Sequence, residues 1–198
     1  MPIHPSDFLA GIRNPALLLS MAMLGLFEMY WKSAAKSASP AQSSESQTSR
    51  RTHLLLANAG FLLLYIPIPG LNQRFVIGTL VMRGLGLGIQ AAFTLLAVWA
   101  RRHLGFHWSG EITFKIDHRL VQSGPYRWLR HPIYTAILGM SVGAATVSGQ
   151  SHAIFGLVIL FYAYWRKIRL EEVNLRKAFG LAYDEYSRDT WALIPWLL

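Results

Sequence analysis

The sequence predicts an all-α, polytopic membrane protein with about five transmembrane helices. Three observations predict it. Hydrophobic residues make up 53% of the chain and charged residues 15%, with a mean hydropathy of +0.29; a soluble domain carries about a quarter charged residues. The apolar residues fall into five blocks, each approaching the ~20 helical residues that a bilayer core of roughly 30 Å requires. The basic residues gather at the ends of those blocks and not along one amphipathic face, so the net charge of +9 points to membrane topology and not to nucleic acid. The 198 residues are read as one integral membrane domain. Without cysteine there is no disulfide framework, no thiolate nucleophile and no cysteine metal site.

Residues 1–14 read as an interfacial lead-in. They lack a basic stretch leading into an apolar core with a small-residue cleavage site, so no cleaved signal peptide is expected. The first span runs from about Pro15 to Trp31. Proline suits the first turn of a helix, where its missing N–H costs nothing, and Tyr30 and Trp31 suit an interfacial belt. Lys32–Thr52, rich in Ser, Ala and Gln, buries too little apolar surface to offset its ordering entropy and is expected to be a mobile loop. His53–Ile68 forms a second, short span ended by Pro67, Pro69 and Gly70. Phe75–Ala100 forms a third, long enough to cross with tilt.

Ile133–Ser148 is the fourth span; Gly139, Gly143, Ala144 and Ala145 permit close helix packing. Ala153–Trp165 is the fifth, and the short SGQSH link makes the last two a helical hairpin. From Arg166 the chain turns amphipathic, with Ile168, Val173, Leu175 and Phe179 among charges and Gly180 as the stop. The tail ends in apolar and aromatic residues suited to the membrane surface. Three regions rich in Lys and Arg, 32–51, 101–130 and 166–188, fall on one side of a five-span chain. The N-terminus is therefore expected outside, and the C-terminus and both polar segments on the cytoplasmic side.

Within the spans, Glu28, Arg83 and Gln90 stand out as polar groups in an apolar setting. Gly84, Gly86 and Gly88 read as a packing surface, since no strand precedes them as a phosphate loop would need. The densest polar passage is His118–Thr135, HRLVQSGPYRWLRHPIYT. Gly124-Pro125 marks a tight turn. Pro132 sits at a helix entry and pushes His131 out of helix, so His131 lies near a helix N-terminus, where N–H groups favour an anionic ligand. Tyr126 and Tyr134 offer faces for a base or a cation. Lys167 and Glu171 share a helix face, while Glu172 points elsewhere. The structural alternative is that these are snorkelling and belt residues and a solvated ion pair. His118 and His131 find no third ligand at helical spacing, and no metal is expected.

RRHLGFHW, HRLVQSGPYRWLRHPIYT and EEVNLRKAFGLAYDEY, followed by Pro195, resemble the isoprenylcysteine carboxyl methyltransferase family, a pattern shared with related phospholipid and small-thiol methyltransferases. The resemblance covers Arg101 to Pro195; residues 1–100 match only in being hydrophobic. It implies S-adenosylmethionine as cofactor, S-adenosylhomocysteine as product, and a cytoplasm-facing site built without a Rossmann sheet from the polar loop and the C-terminal amphipathic helix. Carried over by motif, cofactor-binding residues are His118, Arg119, Leu120, Val121, Tyr126, His131, Pro132, Ile133, Tyr134 and Glu171. The family's arginine for the substrate carboxylate falls on Lys167, which keeps the charge but lacks the bidentate fork; Arg130, Arg166 or Arg169 offers that fork nearby. The implied reaction is carboxyl O-methylation of an isoprenylcysteine-like lipophilic acceptor entering from the bilayer. Phospholipid N-methylation, with Glu172 or His131 as base, and a non-enzymatic membrane assembly role are the alternatives.

Overall fold

A computed structural model describes residues 14–35, 42, 43, 45–105, 113, 114 and 120–196. The elements are α1 (Pro15–Ala35), β1 (Gln42–Ser43), α2 (Gln47–Tyr65), α3 (Leu80–Leu104), β2 (Thr113–Phe114), a 3-10 turn (Gly124–Arg127), α4 (Pro132–Ser148), α5 (Ser151–Phe179) and α6 (Leu181–Arg188). The two short strands pair antiparallel, Gln42 with Phe114 and Ser43 with Thr113. Among the described residues, everything else of regular structure is helical.

The central helix is α4, which packs on α1, α2, α3 and α5. Its small residues make this possible. A Cβ on Gly143 would lie 2.6 Å from the Gly86 carbonyl and 2.7 Å from the Gln90 amide, and the Phe93 ring occupies the space a Cβ on Gly139 would need. α3 and α4 therefore meet backbone to backbone. A second glycine contact joins α2 to α5, where a Cβ on Gly156 would lie 2.8 Å from the Gly60 carbonyl. Leu64, Ala97, Ala136, Met140 and Leu160 fill the core between these seams. Inside it, both ends of the Gln90 amide bond to Ser20: the serine hydroxyl donates to Gln90 Oε1 at 2.6 Å and Gln90 Nε2 donates to the Ser20 carbonyl at 2.9 Å. Its cost of burial is thus offset by hydrogen bonds.

Only Gly86 of the three alternating glycines is a packing residue; Gly84 and Gly88 face open space. Helical periodicity explains the difference, since residues two apart cannot share a face. The expected Lys32–Thr52 loop is narrower than predicted. α1 continues to Ala35, and α2 already begins at Gln47 because Ser46 caps it, its hydroxyl accepting from the Ser49 N–H at 3.2 Å. The fifth span and the amphipathic segment form one uninterrupted helix, α5, about 43 Å long at 1.5 Å per residue. Trp165 and Arg166 change the chemistry of its surface without breaking its backbone. Gly180 ends it in the left-handed region at φ 53°, as expected.

Among the described residues, Leu80–Leu104 is the helix both long and apolar enough to cross a membrane; Pro132–Ser148 is apolar but shorter. The outer faces of α1, α2, α3 and α5 expose large apolar side chains, including Leu26, Met29, Leu55, Leu62, Leu95 and Val158. Basic residues collect at one end. Arg101 on α3 donates to the Ala34 carbonyl of α1 at 2.6 Å, Arg166 on α5 to the Ser49 hydroxyl of α2 at 2.9 Å, and Arg130 lies at the same end of α4.

Candidate active site

The local chain direction around His131 follows from Gly124 and Pro132. Gly124, at φ 60°, opens the 3-10 turn. Pro132 takes the first position of α4, leaving His131 as its N-cap at φ −124°, ψ 56°. The C-terminal tail then locks this corner. The Arg130 N–H donates to the Trp191 carbonyl at 2.8 Å, the His131 N–H to Ala192 at 3.1 Å, and the Trp191 N–H to Trp128 at 3.1 Å. The Thr135 hydroxyl donates to the Leu193 carbonyl at 2.7 Å, and the Tyr186 hydroxyl to the Tyr126 carbonyl at 2.7 Å. The tail forms a strap over this corner: Ala192 and Leu193 are buried, while Ile194 and Trp196 stay exposed.

On this frame, α4, the corner before it and α5 bring five side chains together. The Tyr134 hydroxyl donates to Glu171 Oε1 at 2.5 Å, and His131 Nδ1 lies 3.5 Å from Glu171 Oε2. His131 Nε2 lies 3.5 Å from Glu172 Oε1, which also accepts from Arg130 Nε at 2.9 Å. The remaining guanidinium contacts of Arg130 go to the strap, to the Ser187 carbonyl at 2.8 Å and to the Thr190 carbonyl. The His131 ring stacks on Tyr134 at 5.8 Å, and Tyr134 lies 5.3 Å from Tyr164 of α5.

Burial alone would push the His131 pKa down and both carboxyls up. Mutual interaction outweighs it. Glu171 and Glu172 raise His131 above its ordinary value, in spite of the positive end of the α4 dipole. His131, Lys167 and the Tyr134 hydroxyl hold Glu171 below the usual carboxylate range. His131 and Arg130 hold Glu172 down to about 2. Each of the three groups is thereby pushed toward its charged form. Of the three groups, Glu171 keeps the most exposure, 21% of its side chain against 5% for His131 and 10% for Glu172. It is a fixed, ionised acceptor at the rim of an aromatic wall, suited to a hydroxyl or a positive centre.

Of the residues predicted for the site, His131, Tyr134 and Glu171 touch one another. Lys167 is buried one turn before Glu171 on α5, and its charge acts on that carboxylate. Tyr126, within the 3-10 turn, is buried with a hydroxyl that makes no hydrogen bond. Pro132 and Ile133 are buried and shape the start of α4. Leu120 and Val121 are half-buried, Val121 against the core. His118 and Arg119 lie outside the described residues. Arg130 is turned to Glu172 and the strap. Glu172, expected to point elsewhere, faces His131: it leaves the Lys167 face but reaches the start of α4. Tyr164 went unnoticed in the sequence, although it lies seven residues before Glu171 and so on the same helix face. The strap acts through carbonyls, for which no side-chain signal exists.

Helices packed around a small-residue central helix, with a His–Glu–Glu cluster at its N-terminus, define a helical membrane-type fold whose site does not depend on a sheet. The model of the isoprenylcysteine carboxyl methyltransferase family matches residues 86–177, which hold α4, His131 and both glutamates. Over this stretch, just under half of its length, the chain is similar to that family. It is 29% identical over 147 residues to protein-S-isoprenylcysteine O-methyltransferase A of Arabidopsis thaliana, covering 73% of this chain and 72% of the relative. A probable enzyme of the same name from Oryza sativa subsp. indica is 29% identical over 87 residues, 43% of this chain and 46% of the relative. The fold is that of a solved eukaryotic intramembrane Ras methyltransferase, isoprenylcysteine carboxyl methyltransferase, at a TM-score of 0.57 and 19% identity, over 78% of this chain and 55% of the other. The chain thus spans about half the length of that structure and of the rice relative, and more of the Arabidopsis one.

Proposed function

We propose that the chain is an S-adenosylmethionine-dependent membrane methyltransferase that esterifies the carboxylate of an isoprenylcysteine-like lipid. The observation that carries this reading is Glu171, held in one orientation by Tyr134 and His131 within the stretch that matches the family. The residues fit the cofactor. Glu171 supplies an ionised acceptor for ribose hydroxyls or the ammonium group, the Tyr126 hydroxyl is buried without a partner, and aromatic rings line the approach. Leu120, Val121, Tyr126, His131, Tyr134 and Glu171, with His118 and Arg119, would hold it, and Pro132 and Ile133 would set the corner. When bound, the cofactor supplies an electrophilic methyl group on a sulfonium.

A carboxylate acceptor is already ionised and needs no general base. The chain then has three tasks: to align the acceptor, to exclude water, and to hold its charge with Lys167. Arg130 fixes Glu172, which fixes His131. The exposed apolar faces of α1, α2, α3 and α5 support five spans lying in lipid, with the His131 end and its basic residues cytoplasmic. The outer turns of α5 would carry Glu171 beyond the hydrocarbon.

The test is methyl transfer from labelled S-adenosylmethionine by purified protein in lipid. A farnesylated cysteine with a free carboxylate should take up label as a base-labile ester. Label appearing instead in phosphatidylethanolamine would replace this acceptor by a phospholipid headgroup.

A further inference from the structure

The tryptophans of the three long apolar helices gather at one end. Trp31 lies directly before Lys32 in α1, Trp99 two residues before Arg101 in α3, and Trp165 directly before Arg166 in α5. The Arg101–Ala34 bond ties α1 to α3 at this level, and the Arg166–Ser49 bond ties α5 to the start of α2. An indole is an apolar ring with one polar edge and settles where hydrocarbon meets headgroup. These three residues mark that boundary. The segments that close the opposite end, 66–79 and 149–151, contain no tryptophan.

The corner before α4 lies at the same level and carries three more. Tyr134, in the first turn of α4, packs 5.3 Å from Tyr164, the neighbour of Trp165, and Thr135 beside it bonds to Leu193 of the strap. Trp191 donates its N–H to the Trp128 carbonyl, and its ring lies 5.3 Å from that of Trp196. Trp128 and Ile194 are exposed, and Trp196 is 87% exposed. The strap therefore has two faces. Inward, the Trp191, Ala192 and Leu193 carbonyls hold Arg130, His131 and Thr135. Outward, it presents aromatic and aliphatic side chains with nothing packed over Trp196, the kind of patch that marks an interaction surface.

We propose that the outer face of the strap is a membrane-binding surface: Trp128, Ile194 and Trp196 seat in the headgroup layer of the bilayer, and this contact keeps the strap carbonyls on Arg130 and His131. The occupant is lipid because the patch is level with the tryptophans that end the apolar parts of α1, α3 and α5, and because the exposed Arg127 beside Trp128 offers a cation to lipid phosphates. The inference rests on the membrane methyltransferase reading. It adds that the lipid surface is a working part of the cofactor corner as well as the solvent of the spans.

The chain has no cysteine, so an introduced one takes a nitroxide label alone. Full-length Ile194→Cys, Trp196→Cys and, as an aqueous reference on exposed α6, Glu185→Cys are labelled and placed in phosphatidylcholine bilayers. Paramagnetic resonance reads collision with oxygen, which concentrates in lipid, and with a nickel chelate, which stays in water. The two strap labels should favour oxygen severalfold over the reference; nickel collision equal at all three sites would overturn the proposal. Calorimetry of S-adenosylhomocysteine in the same bilayers reads the coupling. Ile194→Ser/Trp196→Ser should bind about fivefold to tenfold more weakly than the wild type, the worth of about one strap hydrogen bond, and Ile194→Leu/Trp196→Phe should bind like the wild type. Equal affinity in all three proteins, or equal loss in both double variants, would overturn the coupling and leave the methyltransferase reading intact. Wild-type protein that binds no S-adenosylhomocysteine would remove the cofactor reading and the coupling with it, whereas the nitroxide depths still decide the membrane surface.

Discussion

The two ends of α4 solve the same mechanical problem with different chemistry. At its C-terminal end, Gly149 turns the chain at φ 64° and accepts from the Phe75 and Val76 N–H groups at 3.0 and 3.4 Å. Ser151 and His152 donate their N–H groups to the Gln73 and Leu71 carbonyls, and His152 Nδ1 meets the Leu63 carbonyl at 2.6 Å. At the N-terminal end the strap 190–193 does the same for Arg130 and His131. Backbone clasps of neutral groups therefore suffice to fix a helix end in this fold. The His131 end adds two carboxylates, paired with an arginine and an imidazole, each with a desolvation cost that neutral contacts avoid. The charges are more than the mechanics require, and this excess marks the site.

The contrast is broken most severely at Arg130. Arg130→Met leaves Glu172 buried without its nearest cation, and unfolding in detergent should show a loss of about 3–5 kcal/mol. Pairing it with Glu172→Leu should recover most of that stability and none of the cofactor affinity. Recovery of both would make the cluster structural, like the opposite end.

Glu171→Gln keeps shape and removes charge. It should weaken S-adenosylmethionine binding by about tenfold to a hundredfold, the range for a hydrogen bond to an ionised group, with a much smaller change in melting temperature. His131→Ala should weaken it as well, since Glu171 loses a partner.

Acidity separates the ends next. The His131 pKa is raised on folding, so its contribution is complete below its ordinary 6.5 and is lost as pH climbs through the raised value. Glu171 and Glu172 are lowered, so theirs are complete above 4.5 and are lost on acidification, for Glu172 down to about 2. Stability against pH should therefore be greatest between 4.5 and 6.5, and Arg130→Met/Glu172→Leu should flatten its acid side. The smallest effect belongs to the far end. Ser151→Ala removes one hydroxyl bond to Gln73, should cost about 1 kcal/mol, and should leave both cofactor binding and the pH profile unchanged.

Much of this was legible in the sequence. The helical hairpin of α4 and α5, the proline entry at Pro132, the stop at Gly180 and the grouping of basic residues at one end all follow from local rules of capping, breaking and charge placement. So does the placing of His131 and Tyr134 three residues apart at one helix start. What stayed hidden was tertiary. The facing of Glu172 to His131 depends on how far α5 runs past the bilayer-length segment, and nothing in the residues at Trp165 announces that the helix continues. The strap holds the site through carbonyls of Ser187, Thr190, Trp191 and Ala192, and every residue has a carbonyl.

The most direct measurement is calorimetric binding of S-adenosylmethionine and S-adenosylhomocysteine to the purified protein and to Glu171→Gln, in detergent with added lipid. The cluster at the start of α4 as cofactor site predicts micromolar binding of both by the wild type and a clear loss in the variant. Folded wild-type protein that binds neither, or a variant that binds as well as the wild type, would contradict it.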